Sequence, residues 1–286
     1  MNDFTVVIPA KNEAVTIGHM VSGILRLFPD AEVIVVNDGS IDGTGEIAEQ
    51  AGAQVLSQPY GKGNGAAIKA GLQAANNDFV VCMDADGQHR PDDIAALIKK
   101  LNDGYDMVVG ARDHEGQAGL HRSLANGFYN RFASWMVGHK VADLTSGFRA
   151  MRRSKFLEFI SLLPNKFSYP TTITMSFFRA GYSVAYVPIT VLQRAADSKS
   201  HINLWKDGLR FLLIIFKIGT LFSPLKLFFP ISLVLGGGGV AYYAYTYMTD
   251  GRFTNMGALL FTTAILVFLM GLISEQITAL IYKEKN

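Results

Sequence analysis

Two apolar runs near the C-terminus, residues 227–248 and 257–282, leave this chain few ways to fold. Each holds about 20 residues or more, enough as a helix to cross a hydrocarbon core of about 30 Å. Only a short polar link containing "TDGRFTN" separates them, so the two helices should form a tight hairpin. Lys217, Lys226, Lys283 and Lys285 flank its open end, while Arg252 alone lies in the link. The positive-inside rule then places both chain ends, and everything upstream of the hairpin, in the cytoplasm. The start, "MNDFTVVIPAKNE", has no basic stretch leading into a long apolar one, so no cleavable signal peptide is expected. The consecutive glycines Gly236, Gly237, Gly238 and Gly239 fit either close helix packing or a local kink. Small residues of this kind would also let two copies pair through the hairpin. Glu275 and Gln276, polar within the second run, either face another helix or mark the headgroup depth. Just upstream, "NLWKDGLRFLLIIFKIG" is amphipathic and basic, as in a helix lying in the membrane surface. A buried core helix would show the same pattern. The chain thus divides into an α/β domain over 1–200, a juxtamembrane region over 201–224 and a hairpin over 225–286.

Upstream, short β-rich runs alternate with amphipathic ones. Residues 4–9, 32–36, 53–56, 79–83, 106–109 and 187–191 read as strands, and 14–28, 42–51, 66–75 and 92–101 as helices. Such alternation predicts a mostly parallel sheet covered on both faces. Ligands of such sheets bind beyond the carboxyl ends of the strands. The polar clusters "PAKNE", "NDGS", "DADGQH" and "GAR" all fall at those ends. A formal net charge of +2 gives no footprint for nucleic acid. Cys82 is the only cysteine, which excludes an intramolecular disulfide and a thiolate metal cluster.

The run "VVCMDADGQH" ends a buried strand with two carboxylates one residue apart, Asp84 and Asp86. Carboxylates this close repel unless a positive charge lies between them. Strand periodicity would point both the same way. With the amide oxygen of Gln88 they form an oxygen-rich set suited to Mg²⁺ or Mn²⁺. No Walker motif and no G-x-G-x-x-G follows the first strand, so phosphates are not held by the usual glycine loop. The stretch "GKGNGAAIKAG" either cradles a nucleotide or is a flexible turn. Asp143, opening "DLTSG", and the arginines could equally be turn and surface residues.

Taken in order, "VVIPAKNE", "VVNDGS", "GKGNGAA", "MDADGQH", "GAR", "DLTSGFRA" and a late "R…SK" resemble the family-2 glycosyltransferases. More narrowly they resemble the polyprenyl-phosphate sugar synthases, and the two-helix tail is similar to members that use undecaprenyl phosphate. The resemblance implies a GT-A fold, with a Rossmann-like mostly parallel sheet, ahead of the interfacial helix and transmembrane hairpin. It implies a nucleotide-sugar donor, a polyprenyl phosphate acceptor, Mg²⁺ or Mn²⁺, and a multi-pass place in the inner membrane. Pro9, Ala10, Asn12, Glu13 and Asp38 would line the nucleoside pocket, with Lys62 in the glycine loop. Asp84, Asp86 and Gln88 would hold the metal. Arg112, Arg122, Arg194 and Lys199 would bind phosphates, the last two with Ser198 on the acceptor side. Asp143, Ser146 and Arg149 would shape the sugar pocket. "YPTTITM" carries threonines where many members have a glutamate.

A lipid phosphate is already an anion at neutral pH and needs positioning and charge compensation rather than a general base. In-line attack would invert the anomeric centre. Two acceptor alternatives stay open on the residues, a glycolipid hydroxyl and a growing polysaccharide, as does a non-enzymatic nucleotide-sugar sensor.

Overall fold

The computed structural model of the chain describes residues 3–112, 120–165, 169–191, 216–217 and 219–283. Arg194, Ser198, Lys199 and most of the amphipathic segment therefore lie outside the described residues, as does the side chain of Arg122. Two compact units divide the chain, Met1–Trp135 with His139–Lys199, and Met136–Gly138 with Ser200–Asn286.

The first unit is built on a seven-stranded sheet. In chain order its strands are β1 (Phe4–Ala10), β2 (Glu32–Asn37), β3 (Gln54–Ser57), β4 (Phe79–Cys82), β5 (Met107–Arg112), β6 (Arg149–Arg152) and β7 (Val184–Ile189). They lie side by side in the order β3-β2-β1-β4-β6-β5-β7. β6 is antiparallel to both its neighbours; every other pairing is parallel. Near-continuous apolar runs such as "FTVVIPA" and "FVVC" suit these positions, because both faces of a parallel sheet are covered. The covering helices include α1 (Ala14–Leu27), α2 (Thr44–Gln50), α3 (Asn64–Ala74), α4 (Ile94–Asn102) and α5 (Leu120–Val137). α1 buries Ile17, Met20, Val21 and Ile24, and α4 buries Ile94, Leu97, Ile98 and Leu101. Both sets follow the helical period that places one apolar stripe on the sheet. α6 (Arg153–Leu157) and α7 (Tyr169–Arg179) complete the unit.

The mostly parallel sheet agrees with the expectation from alternation. The last strand does not: β7 begins three residues before the expected 187–191, pairing Val184 with Met107. β6 was not expected at all. Its sequence "RAMR" lacks an apolar run, yet it sits inside the sheet, where Arg149 is paired through both Nη atoms while its Nε has no hydrogen-bond partner among the described residues. Arg149 is fully buried on hydrogen bonds, and Arg152 lies near Asp78 and Asp106.

The second unit contains α8 (Pro224–Asp250) and α9 (Asn255–Lys283), each long and apolar enough to cross a membrane. Only 11% and 17% of their most apolar stretches is buried, which is not how a soluble core helix behaves. α8 runs unbroken through its four glycines. A side chain at Gly236 would reach Ala264, and one at Gly239 would press on Leu260 and Phe261 at 3.3 Å, so these two glycines face α9. Nothing lies within 4 Å of a side chain at Gly237 or Gly238. Close packing, rather than a kink, accounts for Gly236 and Gly239. Glu275 also finds its partner inside the hairpin: the Leu225 backbone N–H donates to its Oε2 at 3.2 Å. That N–H is one of the four at a helix start that lack an intrahelical acceptor.

Candidate active site

The carboxyl ends of β1, β2 and β4 surround a cleft of about 560 Å³. Pro9, Ala10, Lys11 and Glu13 come from the end of β1, Asp38 from the end of β2, and Asp84, Ala85 and Asp86 from beyond β4. Gly61, Gly63 and Asn64 close it from the glycine loop ahead of α3. The predicted set is thus brought together in part: Pro9, Ala10, Glu13, Asp38, Asp84 and Asp86 share one wall system.

The loops are tied to each other before any ligand arrives. The Lys62 and Gly63 backbone N–H groups donate to the two oxygens of Asp38 at 2.7 and 2.9 Å. Gly39 has φ +69, and a Cβ there would come within 2.8 Å of the Tyr60 and Gly61 backbone. The "NDGS" and "YGKG" loops can touch only because that residue is glycine. Asn12, at φ 55, holds the same region from below. Its N–H donates to Ser40 Oγ, and its side-chain oxygen accepts from the Ile41 N–H. Asn12 is therefore a tie between loops and not a wall of the cleft. Lys62 contributes its backbone here, while its ammonium lies over the Tyr60 ring at 5.6 Å.

Asp84 and Asp86 do not share a face for the reason expected. β4 stops at Cys82, and both carboxylates sit on the following loop, where Gly87 at φ 71 reverses the chain. The turn, not strand periodicity, brings them to one cleft. Gln88 is also placed differently from the expected ligand set. Its backbone N–H donates to Asp86 Oδ1 at 3.1 Å, and it is not among the residues lining the cleft. Among the described residues no three His, Cys, Asp or Glu side chains cluster as a metal site.

Asp84 has two close neighbours. A Cβ on Gly147 would collide with its carboxylate, Oδ2 first. His89 Nε2 lies 3.9 Å from the same Oδ2. The His89 ring is buried, stacked on Phe148 at 5.0 Å between centroids and 17° between planes. Burial raises the Asp84 pKa, against the pull of His89, and Asp86 raises it further. Burial likewise lowers the His89 pKa, favouring the neutral ring. Lys11 and Asn64 line the cleft from motifs in which the sequence did not single them out, while Gly147 lies in the "SGFR" segment expected to shape the sugar pocket, and His89, beside the metal motif, packs on Phe148 near Asp84. Lys11 was readable within "PAKNE", as the cation among four cleft carboxylates.

The residues expected to shape a sugar pocket are tied to one another by hydrogen bonds beside the cleft. Arg112 donates through Nε and Nη2 to the two oxygens of Asp143 at 2.7 and 3.0 Å, and through Nη2 to Thr145 Oγ1 at 2.5 Å. Burial would raise the Asp143 carboxyl, but Arg112 and the Thr145 N–H outweigh it and hold it below the usual range. Ser146 is buried, with its N–H on Asp143 Oδ1 at 3.1 Å. Arg149 is fully buried and donates to Pro170 O and Thr174 Oγ1, each at 3.0 Å, and to Ser146 O. It braces α7 and the "TSGF" segment from inside, so it is not a wall of the cleft.

The sequence matches the Glycosyl transferase family 2 model over residues 5–159 and the GtrB C-terminal hairpin model over 223–280. It is 30% identical over 285 residues to the glycosyltransferase AglJ of Haloferax volcanii, covering 95% of this chain and 92% of that protein. It is 34% identical over 200 residues to a dolichyl-phosphate hexose transferase of the same organism, covering 69% of this chain and 86% of the relative. A polyprenol monophosphomannose synthase from Mycolicibacterium smegmatis is 30% identical over 66% of this chain and 77% of its own. In three dimensions the chain resembles glucosyl-3-phosphoglycerate synthase from Mycobacterium tuberculosis, solved with Mg²⁺ and UDP. The TM-score is 0.60 at 24% identity, over 74% of this chain and 78% of that one, and supports the GT-A-like fold. The chain belongs to glycosyl transferase family 2, and its relatives include polyprenyl-phosphate sugar transferases.

Proposed function

We propose that this glycosyltransferase moves a sugar, with inversion, from a UDP- or GDP-sugar to a polyprenyl phosphate, with undecaprenyl phosphate as the acceptor. The observation that carries the reading is the acidic cleft at the strand ends, in a chain that also holds a two-helix hairpin. Glu13, Asp38, Asp84 and Asp86 would repel a bare diphosphate. Burial also makes the ionised form of Asp84 costly. Both features fit a divalent cation, and the similarly folded enzyme solved with Mg²⁺ and UDP supports that choice. Asp84 and Asp86 would hold the ion. Two carboxylates suffice where substrate oxygens and water complete the shell, as is usual for Mg²⁺. When bound, it supplies charge compensation for the departing nucleoside diphosphate.

Pro9, Ala10 and Glu13 position the nucleoside, and Asp38 fixes the glycine loop over it through its two backbone hydrogen bonds. Arg194, Ser198, Lys199 and Arg122 are assigned to phosphate groups on the resemblance to the family alone. α7 offers Thr171, Thr172 and Thr174, all buried, where a base would otherwise be sought. A phosphate acceptor needs no such base, because its own oxygen carries the charge that attacks. The hairpin anchors the enzyme in the inner membrane, with both ends and the catalytic unit cytoplasmic by the positive-inside rule.

The test is a panel of labelled nucleotide sugars incubated with undecaprenyl phosphate. A product whose sugar is released by mild acid is expected. An acid-stable product made only with hydroxyl acceptors would sink the reading in favour of a glycolipid synthase.

A further inference from the structure

We propose that one face of α5, together with Lys140, docks the catalytic unit onto the phosphates of anionic phospholipids. The inference rests on the membrane anchoring of the chain but not on the sugar-transfer reaction.

Phe128, Arg131 and Trp135 recur at spacings of three and four residues, so they share one side of α5. The opposite side is the packed one, with Tyr129 and Ala133 buried at 4% and 1% exposure. On the open side Phe128 is 62% exposed and Trp135 48%. Phe132 stands between them, its ring 5.9 Å from that of Trp135. Exposed aromatic rings grouped on a helix are costly in water, whereas at a membrane interface they are favoured.

Among the described residues the charge on this face is of one sign. Arg131 and Lys140 are both exposed and line a cleft of about 550 Å³ with Arg112, Tyr186 and Pro188. Arg112 is neutralised by Asp143. Among the described residues neither Arg131 nor Lys140 lies within ion-pair range of a carboxylate. Among the described residues the surface therefore presents two cations without a carboxylate partner beside aromatic rings, which is the chemistry that anionic headgroups select.

Lys140 is fixed to the helix rather than dangling from it. Asn130 Nδ2 donates to Ala142 O at 2.7 Å, and the Leu144 N–H returns to Asn130 Oδ1 at 3.0 Å. The Val141 N–H donates to Ser134 Oγ at 2.9 Å. The loop that carries Lys140 is thus pinned by two side chains of α5. Little further ordering is needed when the face meets a planar charged surface.

The experiment uses the full chain in lipid nanodiscs, with Trp205→Phe so that Trp135 is the only tryptophan left. Phospholipids brominated at the top of the acyl chain report contact by quenching its fluorescence. Strong quenching is expected in discs containing phosphatidylglycerol and weak quenching in phosphatidylcholine alone. Arg131→Glu and Lys140→Glu should each lower the docked-to-undocked ratio by at least about fivefold, from the usual energy of one basic residue at an anionic surface. Equal quenching in neutral and anionic discs, or none in either, would overturn the proposal. So would burial of Trp135, read with an aqueous quencher, only in discs holding two copies, since a second protomer would then be the occupant. Unchanged far-ultraviolet dichroism of the two charge variants keeps a folding defect from imitating the effect.

Discussion

Replacing Gly147 by alanine tests whether Asp84 must stand where the fold puts it. Gly147 does not have a positive φ, so its backbone accepts alanine. The new methyl carbon would stand 2.8 Å from Asp84 Cγ and closer still to Oδ2, whereas ordinary contact begins near 3.4 Å. The carboxylate has to retreat by at least about 0.6 Å, because the alternative is a shift of the central strand. It can do so, since a third of its side chain is open. The strain is therefore spent on the position of one metal-binding group rather than on the core. Misplacing a reacting geometry by about 1 Å costs on the order of 10²-fold. A loss of about 10- to 100-fold in kcat/KM is expected, or roughly 1.4–2.7 kcal/mol of transition-state stabilisation. The melting temperature should fall by only about 2–4 °C, as for a perturbation near 1 kcal/mol.

Initial rates against donor concentration give kcat/KM, and calorimetric titration of Mn²⁺ in the presence of UDP gives metal affinity without turnover. The same substitution is then made in an Asp84→Asn background. If the effect runs through Asp84, Gly147→Ala should cost much less there, as coupled neighbours do in a double-mutant cycle. Rate and Mn²⁺ affinity within twofold of wild type would refute the reasoning. So would an equal loss in both backgrounds, which would place the damage elsewhere.

Three further outcomes are expected. Asp86→Ala should remove most activity while leaving the melting temperature near wild type, and EDTA should inhibit the native enzyme until Mg²⁺ or Mn²⁺ is restored; full activity in the chelator would exclude the metal role. The lowered pKa of Asp143 means its pair with Arg112 stabilises the fold above the unfolded carboxyl value near pH ~4 and is lost as pH falls through the folded value. Asp143→Asn should accordingly cost about 2–3 kcal/mol in urea unfolding at pH 7, and the difference from wild type should shrink toward pH 3. Arg149→Leu should destabilise by about 3 kcal/mol or more, because it removes the donor to the buried Ser146 carbonyl, unties the sheet from Thr174 and leaves a misfit in a closed site; an unchanged melting curve would return Arg149 to the cleft.

Much of the architecture was legible because it depends on patterns that local sequence carries. The β1, β2 and β4 runs and the apolar stripes of α1 and α4 announce buried strands and half-buried helices. The hairpin announces itself by length alone. Of the site, the clusters at the ends of β1, β2 and β4 could be placed on one edge from the alternation. What could not be read was the division of labour within those clusters. Asp38 and Asn12 look alike as polar residues at strand ends. Only their backbone partners show that Asn12 ties loop to loop, whereas Asp38 both ties the glycine loop and faces the cleft. Arg149 lies in a motif full of polar residues, and nothing local says that its guanidinium turns inward to serve α7, which lies about twenty residues later.

The most consequential omission was β6, and its direction explains the site. In a parallel sheet only residues that follow a strand reach the carboxyl edge. Because β6 runs the other way, the residues that precede it reach that edge instead. Cys82 pairs with Arg149 in the β4–β6 register. Continuing that register by two residues past the end of β4 sets Asp84 opposite Gly147, the contact that leaves no room for a side chain. One residue further along, Phe148 supplies the face on which His89 stacks. The segment "TSGF" is thus delivered to the acidic cleft by one reversed strand, and Gly147 follows from that pairing. A sequence reader who granted "RAMR" a place in the sheet would have found the partner of the first aspartate by counting.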